Sequence, residues 1–358
     1  MNNVVNKFLG QKKIFLVLEL ICVLLVIVGI VLLVVGSFKS DVPEEIPTNN
    51  ENNPTHNNNN VLEDKVNIVN VDSKSRPYAI MINNISTARP LQSGLQDAYL
   101  MYEMIVEGGI TRYLALFMDK DTERIGSIRS ARHYYLDYAL ENDAIYVHHG
   151  QSPQAKSDFS ILNGRIEVNE TKTGWRDKTL NVSSEHTLFT SIEKLNSGLK
   201  NIRTERKGDL LFEYSAKEID IANKTNAKKA DKVDIVYSKK TTSSYEYDEE
   251  NKVYKRYVNN KEHVDYVTKE QYTFKNIITY QVKNTTISGD TSGRQNLDNI
   301  GSGKGYYITN GYATEINWKK ECRKCQTVYT YLDGSKVVLN DGNTFIQIQP
   351  KGEKLTIS

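Results

Sequence analysis

Cysteine, histidine and proline are scarce in this chain: three, six and seven among 358 residues. Charge of either sign in excess is missing too, since the formal net charge is +2. Each shortage excludes something. Residues 1–40 carry Lys7, Lys12, Lys13 and Lys39 against Glu19, which leaves the remaining body close to neutral. A near-neutral body has no electrostatic footprint for DNA or a polyphosphate, so no nucleic-acid partner is expected. Cys322 and Cys325 are half of a structural zinc site, and no second pair exists. His148 and His149 are adjacent on a predicted strand and point to opposite faces. With His186 they cannot easily serve one ion, so neither a metal nor another cofactor is expected. No G-x-S-x-G elbow supports a triad built from Ser152, His186 and Asp177.

Only one long apolar run is present. Ile14–Val35 is almost all Leu, Val and Ile, long enough to span a bilayer as a helix. Lysines precede it and no basic cluster follows, which places the body outside the cytoplasm. Cys22 follows Ile21, too large for a lipobox. The expected order is a cytoplasmic N-terminus (1–13), a single-pass transmembrane anchor (14–36) and a linker (37–75). Asn fills eight of the twelve positions 49–60. Such a segment buries too little apolar surface to offset its chain entropy, so it reads as a disordered spacer.

The two folded segments differ in period. Over 76–230, strands are predicted at Pro77–Ile85, Ile110–Met118 and Ala144–His148. Leu95, Ala98, Tyr99, Tyr102, Ile105 and Val106 recur at helical spacing behind a Ser93/Gln96 capping box, which predicts a helix. Ser130 and Ser152 read as N-caps of helices, the second with Pro153 at its first position, and another helix is expected over 187–199. This predicts an α/β (α+β) first domain. From 231 to 358, short strands dominate and Asn310-Gly311 and Asp333-Gly334 mark hairpins, which predicts a mostly antiparallel β domain. The 22 tyrosines fill and fringe such sheets. Cys322 and Cys325 sit in a turn between strands, where a disulfide is expected, with free thiols the alternative.

Candidate chemistry gathers between Glu107 and Arg132. Arginine suits planar, bidentate recognition of phosphate or carboxylate. Arg129, Ser130 and Arg132 flank a predicted helix start, where free N–H groups favour an anion. With all three strands parallel, Arg89, Arg129, Arg132, His149 and Ser152 share one crevice at the strand ends. The competing reading pairs these arginines with Asp119, Asp137 or Glu141. Glu103 and Glu107, four apart on the predicted helix, repel unless Arg112 answers them. A Glu107–Arg112 bridge is expected, at the opposite edge from the crevice, with Thr111 a strand residue. The ligand-binding candidates are therefore Arg89, Glu103, Glu107, Thr111, Arg112, Arg129, Ser130, Arg132, His149, Ser152 and His186.

At RPYAIMINN (76–84), TARPLQSGLQDAYLMYE (87–103), EGGITRYLALF (107–117), IGSIRSARHYYLDYA (125–139) and HHGQSPQA (148–155) the chain resembles the YerB-like family of bacterial envelope proteins. GYYITNGYATEINWKK (305–320) and DGSKVVLNDGNTFIQIQP (333–350) resemble its smaller C-terminal domain. The resemblance implies an α/β domain, a β-rich domain and attachment outside the membrane. Family members often carry a lipoprotein designation, and this chain departs by its missing lipobox. Where the family often shows Pro-His-Asn, this chain has Glu185-His186-Thr187, so only His186 carries over. The family brings no reaction with it. Two functions fit the residues: a binding or scaffolding module for an anionic envelope ligand or a protein partner, or an envelope enzyme. The enzyme would perform phosphoryl or glycan transfer or hydrolysis, with the arginines stabilising charge and Glu103 or Glu107 as base.

Overall fold

A computed structural model describes residues 65–358. The predicted anchor and most of the predicted linker lie outside the described residues. Among the described residues no helix is long and apolar enough to cross a membrane. Residues 65–75, which composition assigns to the linker, are tied to the body. The Asn67 backbone N–H donates to both Asp341 carboxylate oxygens, at 2.9 and 3.0 Å, and Val69 is buried.

The framework is an eleven-stranded sheet to which both halves of the sequence contribute. From one edge its strands run Lys228–Lys229, Tyr312–Lys320, Gly301–Thr309, Asn276–Val282, Thr344–Pro350, Leu100–Ile105, Thr111–Phe117, Tyr78–Asn83, Ile145–His148 and Arg165–Glu167, with Val328–Tyr331 also pairing Tyr312–Lys320. The halves join where Leu100–Ile105 lies parallel to Thr344–Pro350, Leu100 opposite Thr344. A second, six-stranded sheet is built from Lys232–Ser238, Thr241–Asp248, Val253–Val258, Lys261–Glu262, Thr273–Phe274 and Leu355–Ile357.

The described chain is mostly β, and its α-helices are short: His133–Glu141, Pro153–Asp158 and Ile192–Ser197. This corrects the α/β expectation for the first half. The helix predicted around Tyr99 is instead the strand Leu100–Ile105, preceded by a single turn at Leu95–Asp97. Every residue of that strand is buried. A strand covered on both faces loses its alternation, so its apolar run can imitate a helical stripe. The capping box does not form. Ser93 Oγ donates to the Leu91 carbonyl, and the Gln96 amide donates to the Thr273 carbonyl. Residues 187–199 split into strand Leu188–Thr190 and a helix capped by Ser191, whose hydroxyl accepts the Lys194 N–H at 3.1 Å.

Of the expected features, the Ser152–Pro153 helix start is present, with Ser152 Oγ accepting the Ala155 N–H. Asn310-Gly311 closes the hairpin between Gly301–Thr309 and Tyr312–Lys320, both residues at positive φ. The Cys322 and Cys325 sulfurs are bonded in the turn after Tyr312–Lys320. The helix His133–Glu141 packs tyrosines onto the sheet rather than a smooth aliphatic face. Tyr134 OH donates to the Ile105 carbonyl at 2.7 Å, and Tyr135 OH to the Met104 and Arg112 carbonyls at 2.9 and 2.8 Å. Burying a phenol is favourable when its hydroxyl keeps a partner.

Candidate functional site

Strand direction decides what meets. Tyr78–Asn83 runs parallel to Ile145–His148, but Thr111–Phe117 runs antiparallel, with Asn83 opposite Arg112. The all-parallel expectation therefore fails at its middle strand. Arg112 and Glu107 lie at the same sheet edge as Asn83 and His148, not at the opposite one.

The segment Ile128–Arg132 is laid across this edge by backbone bonds. Ile128 N–H donates to the Leu188 carbonyl, Arg129 N–H to Met81, and Ala131 N–H to Gly150, at 2.8, 2.9 and 2.9 Å. His149 N–H returns a bond to the Arg129 carbonyl at 3.1 Å. Gly150 has φ +72°, and a Cβ there would come within 3.1 Å of Ser130 Oγ. Ser130 is not an N-cap: the helix starts at His133, behind Arg132, and the Ser130 carbonyl accepts from Arg112 at 2.5 Å.

Glu107 answers two guanidiniums. It accepts from Arg112 at 3.1 Å, from Arg132 Nε at 3.0 Å, and again from Arg132 Nη2. Burial pushes its carboxyl up, but the Arg132 hydrogen bonds and both positive charges outweigh burial and hold it at about 2. Arg112, buried and beside Arg132, is brought down to about 10. One carboxylate for two guanidiniums leaves a unit of positive charge here.

Arg129 lies further out and closes on Glu185 at 2.7 Å, with Glu185 51% exposed. The other Glu185 oxygen is 3.6 Å from His186 Nε2. His186 Nδ1 accepts from the Asn83 amide at 3.0 Å, which leaves the ring proton on Nε2, facing Glu185. Burial lowers the His186 pKa against the pull of Glu185, with Arg129 adding to the lowering. Next to this group, Arg176 donates to Glu170 at 2.5 Å and to the Ser184 carbonyl, and its second terminal nitrogen lies 3.4 Å from His149 Nε2. The result is a ledge of Arg129, Arg176, His149 and His186 beside the Arg112–Glu107–Arg132 triplet, whose two arginines are buried. Asp119, Asp137 and Glu141 take no part. Asp137 pairs with Arg323 and Glu141 with Lys320, on elements that carry the Cys322–Cys325 turn.

Other candidates belong to a sealed hub. Glu103 is fully buried; it accepts from Thr111 Oγ1 at 2.6 Å, Ser243 Oγ at 2.9 Å and Arg256 at 2.8 Å. Arg256, also without exposed surface, donates to Tyr245 OH and Tyr113 OH at 2.6 and 3.0 Å and reaches His263. Arg89 joins through Asn84, whose amide oxygen and carbonyl it holds at 2.9 Å. Glu103 and Glu107 thus never share a helix face: they serve different networks. Ser152 spends its hydroxyl on its helix cap, and Asp177 pairs with Arg124 at 3.0 Å, so no triad with His186 exists.

Glu185, Arg176, Asn83 and Arg256 were not among the predicted residues. Arg256 carries a readable signal: on strand Val253–Val258 it shares its face with buried Tyr254 and Val258, and a charge on the inward parity of a strand is anomalous.

The comparisons with known proteins bear on family and fold. Residues 66–205 match the model "Protein of unknown function (DUF3048) N-terminal domain" and 233–346 its C-terminal counterpart. The chain is 29% identical over 292 residues to "Putative lipoprotein YerB" of Bacillus subtilis, covering 80% of this chain and 85% of that one. It superposes on the crystal structure of the Bacillus subtilis YerB protein with a TM-score of 0.68 at 26% identity, covering 79% of this chain and 94% of the other.

Proposed function

The chain belongs to this YerB-like, two-part family, and from that premise we propose that it is a membrane-tethered, extracytoplasmic envelope protein whose ledge recognises an anionic group. In this reading Ile14–Val35 is the anchor, and the ledge meets a ligand or partner of the cell envelope. The observation that carries the proposal is the charge arrangement. Arg112 and Arg132 share Glu107, while Arg129 is answered only by a half-exposed Glu185. Guanidiniums placed together with surplus charge suit an incoming phosphate or carboxylate.

The same geometry disfavours the enzyme alternative. A general base must be able to take a proton near neutral pH. Glu107 is held at about 2 by its two arginines, and Glu103 is closed on Arg256 away from the ledge. This supports recognition rather than acid–base chemistry by these two carboxylates.

The test uses the full-length protein titrated calorimetrically with inorganic phosphate and sulfate. Saturable binding that disappears in Arg129→Gln is the expected result. No heat and no change in the His186 ring signals at high phosphate would overturn the ledge as a site.

A further inference from the structure

Among the carboxylates of the ledge, two kinds of contact are present. Glu107 is gripped from two sides by nearly buried arginines and is part of the fold. Glu185 is different. It lies in the single turn Ser184–His186, is half exposed, and makes one 2.7 Å bond to Arg129, with its second oxygen 3.6 Å from the His186 ring. Arg176 grips the carbonyl of Ser184, the residue next to it. A carboxylate between an arginine and an imidazole N–H has the shape and charge of a ligand headgroup.

Resting on the reading of the ledge as an anion site, we infer that Glu185 is an internal occupant of that site, a tethered carboxylate that an external oxyanion must displace. The ligand class follows from what it replaces: a carboxylate or phosphate group, taken up by Arg129 and the His186 Nε2–H. An exposed ion pair is weak, so exchange is feasible without disturbing the fold. Tethering nevertheless raises the local concentration of Glu185, and the apparent affinity of a competitor falls by the fraction of time the site is free. The Glu185 side chain is then the part that moves, while Asn83 keeps the His186 ring in place through Nδ1.

The experiment compares full-length wild type with Glu185→Gln and Glu185→Ala, titrated separately with inorganic phosphate and with acetate. It is read by calorimetry and by the His186 Cε1 signal. Removing the internal carboxylate is expected to tighten binding of the preferred anion about fivefold, and adding Arg129→Gln to either variant is expected to abolish the gain. Whichever anion gains more identifies the headgroup. Equal affinity in wild type and both variants would overturn the internal occupant and leave the ledge as an open anion site. No binding in wild type or in either variant would overturn the anion site itself. Both substitutions sit on a half-exposed side chain, and circular dichroism of each confirms folding before titration.

Discussion

Arg256 Nη2 lies 2.8 Å from Glu103 Oε2, and neither side chain exposes any surface. The pair joins residues 153 positions apart in sequence, one on each of the two sheets. Around it, the rings of Tyr113, Tyr245 and Phe345 approach the guanidinium to between 4.6 and 5.3 Å. Such a site holds its charges only while both are present.

Arg256→Ala is therefore expected to destabilise the protein by about 3–5 kcal/mol, the usual result of stranding one member of a buried pair. Arg256→Met with Glu103→Leu is expected to recover part of this loss, since removing both charges spares their desolvation. Urea unfolding of the three proteins measures the difference. A single mutant as stable as wild type would show that the pair does not clamp the sheets.

Glu107 sets an acid limit. Its folded pKa, about 2, lies below the ordinary 4.5, so it contributes stability above pH 4.5 that is lost as pH falls toward 2. Glu107→Gln is expected to lower the urea midpoint at pH 7 and to flatten its fall between pH 4.5 and 2. An unchanged slope in the variant would remove Glu107 from the acid response.

His148 acts at higher pH. Burial, with the nearby Arg165 charge, brings its imidazole down from 6.5 to about 4, against the pull of the Gly150 carbonyl. The folded state thus disfavours the proton, and stability attributable to His148 is full above pH 6.5 and lost as pH falls toward 4. A titration of its Cε1 proton by NMR is expected to show a midpoint near 4, and a midpoint above 6 would contradict the burial argument.

Gly94 holds φ +74°, and a Cβ there would lie 2.4 Å from the Arg124 carbonyl oxygen. Gly94→Ala is expected to cost about 1–3 kcal/mol from backbone strain alone, more with the clash. A melting temperature equal to that of wild type would mean that the 94–97 turn relaxes freely.

Strand positions were largely legible in the sequence where one face is polar or a turn follows. Thr111–Phe117, Lys232–Ser238 and the Asn310-Gly311 hairpin were read correctly from β-branched content and turn residues. Leu100–Ile105 was not: buried on both faces like Thr111–Phe117, it carries no period of two, and its Leu-Met-Tyr-Glu-Met run is rich in helix formers. Strand direction was equally hidden: nothing local to Thr111–Phe117 says that it runs against Tyr78–Asn83, and that reversal decides which edge receives Arg112. At the ledge, Arg129 and Arg132 stood out by residue type and by the glycine and serine around them. Glu185 and Arg176 did not, since their placement depends on how a later stretch returns to the same edge. Glu107 was correctly paired with Arg112, but Arg132 as its second partner needed the fold.

Thr344–Pro350 sits between Leu100–Ile105 and Asn276–Val282, hydrogen-bonded to both as a parallel neighbour. The strand at the middle of the framework thus comes from a segment more than 200 positions after its partner Leu100–Ile105. A ribosome makes it long after Leu100–Ile105, so the first half must wait with an open, apolar edge there until Thr344–Pro350 emerges. Parallel pairings between such distant segments close slowly and leave the nascent chain exposed to aggregation. A premature stop before Thr344 would therefore not release a working N-terminal half. It would release a sheet with two unpaired inner edges, the kind of surface that recruits other strands.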